Sequence, residues 1–93
     1  MDLTQYRKQI DSVDDEILRL FIERMEIAQE IARYKKARGM PAMDAARERE
    51  KLARLGERAG ADMRGYTDRL FSLLMELSRA HQEKILNAEK RSE

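Results

Sequence analysis

The sequence predicts an all-α fold with three helices per chain, one long, one short and one of medium length, and three observations carry that prediction. Apolar residues return every three or four positions over long stretches. Hydrophobic residues make up 42% of the chain and charged residues 40%, the mix of long solvated helices. With three Tyr, two Phe, no Trp and one Pro, material for a sandwich or barrel is scarce. Residues 1–93 are read as a single domain.

The first helix is the clearest. Leu3, Tyr6, Ile10, Val13, Ile17, Leu20, Ile27 and Ile31 alternate by threes and fours up to the Lys35-Lys36 pair. Gly39 is placed to follow its C-cap and Pro41 stands where a helix cannot continue, while Arg33, Lys35 and Lys36 suit the negative end of the helix dipole. Asp44 is a good N-cap for a second, weakly apolar helix carrying Arg47, Glu48, Leu52 and Leu55. Residues 56–65, GERAGADMRG, read as its frayed end and a loop, since three glycines fall there without apolar periodicity. A third helix is expected from about Tyr66 to about Ala88, with Leu70, Phe71, Leu74, Leu77, Ser78 and Ile85 on its inner stripe and EKRSE fraying behind it.

A first helix of roughly 50 Å is too long for two shorter helices to cover. Pairing with a second copy is the simplest way to bury the rest of its stripe, so an intertwined helical homodimer is expected. A four-helix bundle or a parallel coiled coil would satisfy the same periodicity.

Charge and composition exclude several classes. A formal net charge of +1 gives no global footprint for nucleic acid or an anionic membrane. No Cys and one His leave neither a disulfide framework nor a zinc set, and no Gly-rich phosphate loop is present, so no metal or cofactor is expected. The polar, acidic start and the lack of a membrane-length apolar run favour a cytoplasmic protein.

What remains informative is charge placed on the apolar faces. Arg24 continues the three-four alternation past Leu20, and Lys35 follows eleven residues later on nearly the same face. Asp44, Arg47 and Glu48 share the first turn of the second helix, and Ser78 and Gln82 lie one turn apart on the third. Singly, most have a plain structural account: Asp44 caps, Lys35 complements a helix end, and Ser78 and Gln82 fill a boundary. Together they describe an enclosed site for a small polyanion, since Arg forks match carboxylates, Lys adds a compact charge and Gln a neutral donor. Neither a Ser-His nor a Cys-His pair supports nucleophilic chemistry.

The stretches RKQIDSVDDEILRLFIERMEIAQEIARYK, GMPAMDAARERE and RLFSLLMELSRAHQ carry an ordered set of features. These are an early Arg and Asp, a central E-R pair, a Lys near the first helix's end, D-x-x-R-E, and S-x-x-x-Q. In that set the chain resembles the all-α, class II chorismate mutases over almost its whole length. The resemblance implies that Arg24 and Arg47 bind the substrate's carboxylates with Ser78, and that Arg7 reaches in from a second subunit. It implies that Lys35 and Gln82 donate to the ether oxygen of the breaking bond, that Glu48 and the backbone near Asp44 hold the ring hydroxyl, and that Ile31 and Met75 form apolar walls. Arg7 precedes Arg24 by seventeen residues, about 25 Å along a helix, too far for both to grip one small ligand from one chain. Arg79, beside Ser78, departs from the expected apolar wall, and Gly56 and Gly60 loosen the second helix. An isochorismate-pyruvate lyase of the same fold and a non-catalytic helical dimer remain as alternatives.

Overall fold

Asp2 starts the first helix. Its carboxylate accepts from the Gln5 amide at 2.9 Å while the Gln5 side chain accepts from the Asp2 amide at 2.8 Å, a reciprocal box that satisfies two orphan donors. In the computed structural model, which describes residues 1–92 and side chains through Lys90, this helix, α1, runs Leu3–Ala37. It ends as expected at Gly39. With φ +64, Gly39 adopts the left-handed conformation, its amide donates to the Lys36 carbonyl, and the Met40 amide reaches back to the Lys35 carbonyl at 2.9 Å.

Asp44 caps α2, Ala45–Ala59, by accepting from the Arg47 amide at 3.0 Å. The expected loop over residues 56–65 is corrected here, because α2 continues through Gly56 and breaks at Gly60. Gly56 is buried against α3, where an added Cβ would come within 3.1 Å of the Arg64 and Asp68 side chains. It is a point of close helix approach, and the packing gained there offsets the low helix propensity of glycine, about 1 kcal/mol. Gly60, at φ 87 and ψ 161, makes the turn in a region open essentially to glycine alone.

The third helix, α3, spans Arg64–Ser92, starting before Tyr66 and continuing past Ala88. The expected fraying of EKRSE is therefore corrected as far as Ser92; Glu93 lies outside the described residues. Glu89 accepts from Arg33 at 2.6 Å, which ties this last stretch to α1.

Pairings of Arg24 with Ser78, Ala28 with Gln82 and Arg33 with Glu89 ascend together, so α1 and α3 run parallel. On the other side of α3, α2 runs antiparallel to it, with Glu48 against Arg79 and Gly56 against Arg64. Among the described residues α3 packs on both helices, whereas α1 and α2 do not pack on each other. The result is one layer, 57 × 29 × 14 Å, with a radius of gyration of 16.9 Å where a globular chain of this length has about 12 Å.

The apolar stripe of α1 is not what α3 covers. Phe21, Met25, Ala28 and Ala32 turn toward α3, and the small side chains Ala28 and Ala32 are buried. Leu3, Tyr6, Ile10, Val13, Ile17, Leu20, Ile27 and Ile31, displaced around the helix, stand open, with Ile10 61% exposed and Ile17 57%. On α3, Met75 and Ser78 are buried and Phe71, Leu74 and Ile85 half-buried, but Leu70 and Leu77, expected inside, are exposed. Both belong to the uncovered side of the layer.

Candidate functional site

Helical spacing assembles the site. On α1, Arg24, Ala28, Ile31 and Lys35 fall on successive turns of one side; on α3, Met75, Ser78 and Gln82 do the same, with Arg79 beside Ser78. The first turns of α2 add Arg47, Glu48 and Lys51 behind the Asp44 cap. All of these, with Ile27 and Ala42, line one cleft of about 370 Å³, within the range of small-molecule sites. A larger open trough of about 600 Å³, bounded by Ile27, Ile31, Tyr34 and Met40, adjoins it on the bare stripe. Polar donors converge in the smaller cleft, and we assign the candidate site there.

The hydrogen bonds preset several of these side chains. The half-buried Arg24 guanidinium donates to Ser78 Oγ and, at 3.3 Å, to the Leu74 carbonyl, and the Ser78 hydroxyl donates to that carbonyl at 2.8 Å. Arg24 thus has neutral acceptors and forms no ion pair among the described residues. The Gln82 amide nitrogen donates to the Ala28 carbonyl at 2.7 Å, which fixes the amide and leaves its second N–H available. Lys35 Nζ donates to the Ala42 carbonyl at 3.1 Å and so ties the end of α1 to the segment before α2. Arg79 donates to Glu48 Oε1 across the α2–α3 contact. It lines the cleft and contributes charge where an apolar wall was expected.

Arg24, Lys35, Arg47, Lys51 and Arg79 outnumber Asp44 and Glu48 in this lining, so the cleft is electropositive in a chain of nearly balanced charge. Lys51 feels this directly. Burial lowers its pKa below the ordinary 10.5, and the nearby cations Arg24, Arg47 and Arg54 lower it further.

Of the residues expected from sequence, Arg24, Ile31, Lys35, Asp44, Arg47, Glu48, Met75, Ser78 and Gln82 come together here. Arg7 does not; it sits on the exposed first turns of α1. Sequence reasoning missed Lys51, although it stands one turn beyond Arg47 and continuing the helical spacing would have found it. His81 lies outside this lining and faces Gln29 at 3.2 Å. Among the described residues no group of His, Cys, Asp and Glu could hold a metal ion, and no helix is long and apolar enough to cross a membrane.

Comparison with known proteins gives this geometry a family context. Residues 6–83 match the family described as chorismate mutase type II. Over 89 residues the chain is 35% identical to a bifunctional chorismate mutase/prephenate dehydratase from Buchnera aphidicola subsp. Schizaphis graminum (strain Sg), an alignment covering 92% of this chain and 23% of that protein. Over 87 residues it is 31% identical to a chorismate mutase from Methanocaldococcus jannaschii, covering 90% of this chain and 87% of that one. The chain therefore spans less than a quarter of the bifunctional relative and most of the second.

Proposed function

This chain belongs to the type II chorismate mutase family, and we propose that it rearranges chorismate to prephenate in a site completed by a second copy of itself. The observation that carries this reading is the convergence of cations, an amide and a serine hydroxyl from three helices on one small cleft. Such a lining suits a unimolecular pericyclic reaction, which needs neither nucleophile nor proton transfer.

Two physical effects divide the work. Arg24, held by Ser78 and the Leu74 carbonyl, and Arg47 clamp the carboxylates and select the conformer in which the enolpyruvyl group lies over the ring. Ile31 and Met75 supply the apolar walls against which that compact conformer packs. Lys35 and the free N–H of Gln82 then donate to the ether oxygen, where negative charge grows as the carbon–oxygen bond breaks. Because both donors are preset by their bonds to Ala42 and Ala28, little reorganisation accompanies the reaction. Glu48 and the backbone beside Asp44 hold the ring hydroxyl.

The second copy answers the bare stripe. Residues 3–20 are exposed along their full length, and the open trough beside Ile27 and Ile31 continues the same apolar face. Antiparallel crossing of two α1 helices covers both and carries Arg7 of the partner subunit to the cleft's open side. Chorismate depletion by the purified chain, read beside Lys35→Ala, tests the reading. The variant is expected to be about 10²- to 10³-fold slower; equal rates would remove Lys35 from the mechanism.

A further inference from the structure

We propose that Lys51 is a third cation of the carboxylate clamp, joining Arg24 and Arg47 on the carboxylates of a dicarboxylate substrate, and that it sets affinity rather than the chemical step. This inference rests on the chorismate reading of the same cleft.

Geometry places the residue. Lys51 follows Arg47 by one turn of α2 and lines the cleft with it, facing Arg24 from α1. The cations Arg24, Arg47 and Arg54 act on it from nearby. Among the described residues its side chain makes no ion pair or hydrogen bond. Glu48, the carboxylate that helical spacing offers it three residues earlier, is engaged by Arg79 from α3. A half-buried cation among cations is unfavourable in the protein alone, and such an arrangement is compensated when an anion enters.

A carboxylate can play that part. Its two oxygens offer about four acceptor sites, enough for a guanidinium group and an ammonium together. The position is set apart from the breaking bond, because Lys51 feels the charge of Arg24 and Lys35 stands roughly 16 Å along α1 from Arg24. Lys51 therefore acts at the anchoring end of the substrate, where interactions are already made in the ground state and alter KM more than kcat.

The test compares wild type, Lys51→Gln and Lys51→Arg in chorismate turnover and in thermal unfolding without ligand. Lys51→Gln is expected to raise KM about tenfold with kcat within about twofold. Lys51→Arg restores most of the affinity. The ligand-free Lys51→Gln chain is expected to melt no lower than wild type, since a repelled cation has been removed. The alkaline fall in kcat/KM is expected to begin at higher pH in Lys51→Gln than in wild type. The other charged groups of the cleft, Arg24 and Lys35 from α1, Asp44, Arg47 and Glu48 from α2 and Arg79 from α3, are common to both proteins. An unchanged KM, a loss confined to kcat, or a lowered melting temperature in Lys51→Gln would each overturn the inference while wild type remains active. A wild type that leaves chorismate intact overturns the functional reading itself.

Discussion

Arg79 of α3 holds Glu48 of α2 through a guanidinium–carboxylate contact at the edge of the cleft. Both side chains are partly buried and both line the site, so the pair joins two helices and orients the carboxylate assigned to the ring hydroxyl. A leucine at residue 79 would keep the packing and release Glu48. Arg79→Leu is therefore expected to cost about 1 kcal/mol of stability or less, and to lower kcat/KM several-fold as Glu48 loses its fixed position. Chemical denaturation and steady-state kinetics on the same preparation check both parts; unaltered kinetics would leave the pair a purely structural link.

Neutral donation by Gln82 has a pH signature. An amide donates at any ordinary pH, so the wild-type rate is expected to stay level between about pH 6 and 8. In Gln82→Glu the new carboxyl donates only when protonated. Its activity should be greatest below the carboxyl's pKa and decline as pH rises through it, toward the acid side of the wild-type plateau. A wild-type rate falling steeply over the neutral range would contradict the assignment of Gln82.

The turn between α2 and α3 depends on Gly60. At φ 87 and ψ 161 a side chain is strained whatever space surrounds it, and nothing lies within 4 Å of the position of an added Cβ. Gly60→Ala is expected to lose about 1–3 kcal/mol from backbone strain alone. Thermal unfolding of the variant measures this, and a melting temperature equal to wild type would show that the turn can relax.

The bare stripe predicts that residues exposed in one chain matter to stability. Ile10→Glu and Ile17→Glu change side chains that stand exposed in a single layer, and substitutions at such sites ordinarily shift stability by no more than about 0.5 kcal/mol. Across a helix–helix interface they would bury a charge against apolar surface instead. Sedimentation equilibrium is expected to show a dimer for wild type and a shift toward monomer for both variants. A monomeric wild type would remove the two-chain site.

Much of this was legible because the site is built from helix faces. Arg24, Lys35, Ser78 and Gln82 stand at spacings that fix which residues share a side, and Gly39 and Asp44 mark helix ends through chemistry local to a few residues. Gly56 was not legible, since a glycine that ends a helix and one that admits a neighbouring helix look alike until α3 is in place. The face of α1 that meets α3 was hidden for a related reason. Ala28 and Ala32 are too small to stand out beside Ile27 and Ile31, yet their size permits the close approach. Lys51 could have been found by its spacing from Arg47, but the approach of Arg24 from α1 to it shows only once the helices are packed.

Mixing two defective chains tests the central claim most directly. Arg7→Ala and Arg24→Ala are each expected to be nearly inactive as homodimers. After unfolding and refolding together, half the dimers are mixed, and each mixed dimer holds one site with both arginines intact, so about a quarter of wild-type activity should return. Activity remaining at the level of the separate variants, or an Arg7→Ala chain as fast as wild type, would contradict a site shared between two copies.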